Sequence, residues 1–355
     1  MIKKQKIVIT GIGPLMAGGS GNDKVWKAVS DRKTGLIQKE YKIDAESIGK
    51  FYVHEIKDFD INDYGINDQA LNGIKEWKEG EEIADLHYFL AVIKMAFEDS
   101  GLKMDDKTKE FTGLILAHEN IGLDHFYRKI IDEMSFTGEN SADRPATKKG
   151  FLYSFYEKFH RTGYELQTFM PLHHIAKAFD VHGFSLFLNN ACASGLYALE
   201  AAADVIRSGK CDQMVVAAVD RSSVFKHIWF NKINMLAKDG RIKPFASDRD
   251  GFTIGDGGAA LILESMESAL ERKAHIYAEY LGGSFILEGW KVTYPDVAGS
   301  SYEKMILRAI DSAGINLSDL DLLIPHGVGT GITDKYEAKT ISRIFGDKSK
   351  RPVIS

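Results

Sequence analysis

Among 355 residues only two are cysteine, and one of them, Cys192, heads an alanine-rich stretch, NNACASGLYALEAAADVIRSG (189–209). The run before it, FSLFLNN (184–190), reads as a strand, and the residues after it read as a helix that stops at Gly209. Cys192 thus sits at a strand-to-helix turn. There the unpaired N–H groups and the positive end of the helix dipole favour a thiolate, the nucleophilic form of cysteine. Ala193, Ser194, Gly195, Ala198, Ala201, Ala202 and Ala203 are small, so such a helix can pack closely and hold the sulfur rigidly. From setting alone, a buried structural cysteine carries equal weight. Cys211, at the start of the next strand, reads as structural.

A nucleophilic thiol needs a proton-handling partner. Of the eleven histidines, His173 and His174 lie in a helix-like run, PLHHIAKAF, where packing accounts for them. His326 differs, because LLIPHGVGTG places it at the end of an apolar strand and in a glycine-rich turn. Catalytic groups of α/β folds collect at such carboxyl ends of strands. Asp334 and Glu337 come next, on the first turns of the following helix, three apart and near one face, where they could cap the helix or orient a histidine or lysine. Other signals fall short. GIGPLMAGG has Met16 where the third glycine of a dinucleotide fingerprint belongs, and GDGG (255–258) lacks the residues of a phosphate loop. With no C-x-x-C and no H-E-x-x-H, no zinc or other metal site is expected.

These groups must be carried by an α/β framework. KIVIT (6–10), FTGLILAHEN (111–120), FSLFLNN and QMVVAAV (213–219) read as strands buried on both faces. IADLHYFLAVIKMAFEDSGL (83–102) reads as a helix with a glycine stop at Gly101. GGAALILES (257–265) and AHIYAEYLGGSF (274–285) read as paired strands. YEKMILRAIDSAG (302–314) and TDKYEAKTISRIFG (333–346) read as helices, with DLLIPHG (321–327) and RPVIS as strands. The polar segment 134–150 is expected to be an exposed excursion. The pattern predicts a weakly repeated core in two parts, 1–255 and 256–355. Hydrophobic residues make up 44% and charged residues 27%, with a net charge of −5, so neither a nucleic-acid nor a membrane-spanning protein is expected. The cysteine count predicts a reducing, cytoplasmic setting.

Four stretches in order resemble the β-ketoacyl-[acyl-carrier-protein] synthases, the condensing enzymes of fatty-acid and type II polyketide assembly. They are VITGIGPLMAGGSGNDKVWKAVSDRKTGL, NNACASGLYALEAAADVIRSGKCD, KPFASDRDGFTIGDGGAALILE and PHGVGTGITDKYEAKTISRIFG. The resemblance implies a thiolase-like fold of two related α/β halves in a five-layer sandwich, usually dimeric as a homodimer or with a related synthase subunit. It implies Cys192 as the nucleophile that takes an acyl chain from an acyl carrier protein. His326 would assist decarboxylation of a malonyl thioester, with Asp334 and Glu337 as structural acids behind the site. Thr330 would hydrogen-bond the pantetheine arm, and Phe252 would line the acyl pocket. No cofactor is implied beyond the phosphopantetheine that carries the substrates.

The chain departs from the family pattern at Val328, where a threonine is usual, and at its end. RPVIS stops where the family continues into a site lysine and a second histidine. Two explanations follow, a piece of a longer synthase or a naturally shortened chain, and the abrupt stop inside a strand favours the first. Either way the second half is incomplete, and these residues are expected to acylate Cys192 but to condense poorly. Two rival functions are a non-catalytic partner subunit resembling a chain-length factor, against which Cys192 argues, and a thiolase-type acyltransferase using coenzyme A.

Overall fold

The computed structural model describes residues 5–43, 46–77, 84–136, 147–291, 294–297, 300–346 and 351–355. They fall into two compact units, one of 1–33, 56–221 and 256–279, the other of 34–55, 222–255 and 280–355. The chain therefore crosses between units after residues 33, 55, 221, 255 and 279. Of the segment expected as an excursion, 137–146 lies outside the described residues.

In the first unit the strands are β1 (Ile7–Met16), β2 (Gly19–Ser20), β5 (Thr112–Ala117), β6 (Ser185–Leu188), β7 (Gln213–Asp220), β9 (Gly257–Ser265) and β10 (Ala278–Tyr280), numbered in chain order. They form one sheet in the order β10-β1-β9-β7-β5-β6, with β2 hairpinned onto β1. The sheet is mixed: β6, β5 and β7 run parallel, and β9 is antiparallel to both β7 and β1. Its helices are α1 (Asn22–Ser30), α2 (Asp68–Trp77), α3 (Ala84–Ser100), α4 (Asp106–Phe111), α5 (Leu123–Phe136), α6 (Lys148–Glu165), α7 (Phe169–Phe179), α8 (Ser194–Arg207) and α10 (Met266–Glu271).

The core of this unit stems from side-chain alternation along β7. Val215, Ala217 and Val219 point into one cluster with Phe89, Leu90 and Ile93 of α3, while the next position over, Ala218, points to the other face. There a Cβ built at Gly195 of α8 would stand 3.5 Å from that of Ala218. Helices thus cover both faces of the parallel strands, which explains their unbroken apolar runs. Contact between α3 and β1 is closer still. A Cβ added at Gly13 would lie 2.0 Å from the Val92 carbonyl oxygen.

The second unit holds the antiparallel pair β3 (Leu36–Ile43) and β4 (Glu46–His54), with β8 (Ile254–Gly255) parallel to β4. It also holds the short parallel pair β11 (Leu322–Leu323) and β12 (Val353–Ile354). Its helices are α9 (Val224–Lys232), α11 (Ser301–Ala313) and α12 (Gly331–Phe345), the last two in contact.

Two expectations are corrected. GGAALILES and AHIYAEYLGGSF do not pair, because β1 lies between β9 and β10. Alternation along each strand reveals its faces but not its neighbour, and the pairing is set by the distant amino-terminal strand. DLLIPHG contributes only two residues of strand, since Pro325 has no N–H to continue a ladder. Where helix meets strand this tightly, Gly13→Ala is expected to lower stability by about 3 kcal/mol or more through forced backbone displacement. Urea unfolding of the two proteins side by side measures it.

Candidate active site

Cys192 lies between β6 and α8 on a turn whose geometry is special at one residue. Ala191 has φ of 50°, in the left-handed region that a Cβ makes costly. The turn is held locally: the Ala193 N–H donates to the Asn190 carbonyl (3.2 Å) and the Ser194 N–H to the Ala191 carbonyl (3.0 Å). The Ser194 hydroxyl, almost wholly buried, accepts from the Asn190 N–H and donates to the Ala191 carbonyl, both at 2.7 Å. Cys192 itself is a free, exposed thiol, just ahead of a helix whose N-cap, Ala193, offers no capping side chain. The first N–H groups of α8 thus carry no capping side chain from Ala193. Cys211 is the opposite case. It is 1% exposed, accepts the Phe184 N–H at 3.3 Å, and burial pushes its thiol up.

In the second unit His326 sits three residues beyond β11, in a loop that leads into α12. Gly327 and Gly329 both have positive φ, 53° and 77°. Gly329 is doubly constrained, because a Cβ there would also meet the Gly251 carbonyl oxygen at 2.6 Å. Behind the loop stand Asp334 and Glu337, 1% and 2% exposed. Glu337 accepts the His326 N–H (2.7 Å) and the Gly327 N–H (2.9 Å), and the Tyr302 hydroxyl also donates to it. Asp334 accepts the Gly329 N–H at 3.0 Å and the Phe245 N–H at 2.7 Å. The side chain of Arg249 reaches 3.7 Å from the Asp334 carboxylate and donates to the carbonyls of Thr330 (3.2 Å) and Gly331 (3.0 Å). The two acids thus hold the histidine loop through its backbone, while the His326 side chain is exposed.

Thr330 occupies the N-cap of α12 in extended backbone, yet its hydroxyl makes no capping bond and is buried without a partner among the described residues. A hydroxyl so placed is left over for a ligand or a water. Phe252 is half-buried and packs edge-on to Phe230 at 4.9 Å, and its backbone bonds to Met235 and Ala237. Val328 is half-buried in the same loop as His326. Of the residues singled out from sequence, Cys192 belongs to the first unit, while His326, Asp334, Glu337, Thr330 and Phe252 belong to the second. Sequence reasoning missed Arg249, although it stands in the quoted DRDGF segment, and Tyr302, which no motif marks. Among the described residues no three His, Cys, Asp or Glu side chains are grouped as metal ligands, and no helix is long and apolar enough to cross a membrane.

The chain matches the family models for the N-terminal domain of beta-ketoacyl synthase over residues 4–269 and for its C-terminal domain over 277–355. It belongs to the β-ketoacyl synthase family of condensing enzymes. It is 24% identical to 3-oxoacyl-[acyl-carrier-protein] synthase 2 of Coxiella burnetii and 26% to that of Staphylococcus aureus strain N315, covering all of this chain and 80% of each relative. Among solved structures, the ishigamide ketosynthase/chain length factor superposes with a TM-score of 0.81 at 23% identity, over 99% of this chain and 80% of that one. A ketosynthase solved in complex with a type II PKS acyl-carrier protein gives a TM-score of 0.77 at 23% identity, over the same shares of the two chains. These likenesses establish the thiolase-like fold.

Burial, and then the neighbouring Glu337 carboxylate, hold the Tyr302 hydroxyl well above its ordinary value of 10.0. A raised value means that the folded protein keeps this proton after the unfolded chain has released it. The stabilisation is complete below pH 10 and is lost as pH rises beyond it. Chemical denaturation should show stability declining above about pH 10, and less steeply in Tyr302→Phe.

Proposed function

We propose that the chain is a 3-oxoacyl-[acyl-carrier-protein] synthase-type condensing enzyme of fatty-acid or type II polyketide assembly. The Cys192 thiolate attacks the carbonyl of an acyl thioester on the phosphopantetheine arm of a carrier protein. A new sulfur–carbon bond forms, and the carrier's sulfur leaves as thiolate and takes up a proton. A malonyl thioester then loses carbon dioxide to give an enolate, with His326 stabilising its oxygen. The enolate carbon attacks the acyl-cysteine carbonyl, and the bond to Cys192 breaks to regenerate the thiolate. Carbon–carbon bond formation by this route needs both an activated thiolate and a stabilised enolate. Thr330 bonds the pantetheine arm, Phe252 lines the acyl chain, and Asp334 and Glu337 keep the His326 loop in place.

The observation that carries this reading is the exposed thiol at a left-handed turn ahead of α8, in a chain matched by both domain models of the family. The unpartnered Thr330 hydroxyl supports the assignment of that residue. The chain would work as two related halves meeting at 255/256, dimerise with itself or a related subunit, and act in the cytoplasm. The lysine and second histidine that the family pattern places after the His326 segment are not among the 355 residues.

Intact-protein mass after incubation with an acyl-carrier thioester is expected to rise by one acyl group, and not at all in Cys192→Ala. No adduct on the unsubstituted protein would favour the partner-subunit reading. An adduct from acyl-coenzyme A but none from the carrier would favour the coenzyme A acyltransferase. Condensation with a malonyl thioester should be slower by about 100-fold in His326→Ala, while acylation persists.

A further inference from the structure

We infer that Asn189 is a positioning residue that clamps the nucleophile turn to the loop after β5; this rests on the proposed role of Cys192. The Asn189 amide nitrogen donates to the Glu119 carbonyl at 2.5 Å, and its amide oxygen accepts the Ala191 N–H at 3.3 Å. One side chain therefore joins two segments 70 positions apart in sequence. A second tie runs alongside it, from the His118 N–H to the Leu188 carbonyl at 3.2 Å. Asn189 thus grips the residue that needs holding. Ala191 carries a Cβ in the left-handed region at φ 50°, and it is the residue immediately before Cys192. Left to itself, such a residue relaxes toward negative φ, which would swing the sulfur away from the end of α8. The Ser194 hydroxyl secures the same turn from the helix side, but only within its own segment. Asn189 instead references the turn to the sheet, since Glu119 lies just past the carboxyl end of β5.

The class of effect is geometric: the clamp sets how often the thiol is aimed at its electrophile, not how tightly a substrate binds. In single-turnover acylation from an acyl-carrier thioester, Asn189→Ala should lower the maximal rate about tenfold and move the half-saturating concentration less than about twofold, with an unchanged melting temperature. Asn189→Asp keeps the acceptor for Ala191 but sets an anion against the Glu119 carbonyl, and should be as slow. Glycine adopts positive φ without penalty, so in an Ala191→Gly background the further loss on Asn189→Ala should shrink to about twofold or less. A wild-type rate in Asn189→Ala, or an undiminished loss in the glycine background, overturns the clamp. Alkylation of Cys192 by iodoacetamide, tracked at the peptide level, needs no carrier substrate and is expected to show the same pattern. Protein that alkylates but never acylates overturns the proposed function, and the alkylation rates then judge the clamp by themselves.

Discussion

The candidate site depends on two buried carboxylates being made tolerable. An ionised acid taken out of water costs several kcal/mol unless hydrogen bonds and opposite charge replace its hydration. Asp334 and Glu337 meet that demand with backbone N–H groups of His326, Gly327, Gly329 and Phe245, with the Tyr302 hydroxyl, and with Arg249 close by. The arrangement is reciprocal, because the loop holding His326 has no regular ladder to satisfy those N–H groups once β11 ends. Each side supplies what the other lacks, and the histidine's backbone is fixed as a result. Its imidazole remains in solvent, where it can meet a substrate.

The first unit uses a different device to fix Cys192. Small residues let α3 approach β1 at Gly13 and α8 approach β7 at Gly195. The turn ahead of α8 then inherits its position from the sheet, and a left-handed alanine lifts the thiol out at the helix end. One site is thus organised by charge and backbone hydrogen bonds, the other by close packing and a strained elbow. Both are strand-to-helix junctions, where backbone N–H groups are left unpaired and available.

Much of this was legible in the sequence for identifiable reasons. Strands covered on both faces are apolar throughout, so β5, β6 and β7 announce themselves as short runs, and α3 as a helix too apolar for a surface. Cys192 was marked by its place before an alanine-rich helix, and His326 by glycines that relax the backbone around it. The spacing of Asp334 and Glu337 put them on one face, but whether they capped α12 or served the loop depended on which N–H groups lay above them. That is tertiary information. Tyr302 and Arg249 were illegible for the same reason, lying 35 and 85 positions from the acids they serve. The partner of β9 was hidden too, since alternation tells which side of a strand is buried and nothing about which strand lies beside it.

The contrast between the two thiols has a practical consequence. One is open to solvent, and the other is buried just ahead of β7, where it accepts the backbone N–H of the strand-entry residue Phe184. The chain consequently carries a built-in gauge of its own integrity. A brief pulse of a thiol-reactive dye marks one position while the fold is closed and two once it opens, so the ratio of singly to doubly tagged molecules counts the open population without any engineered probe.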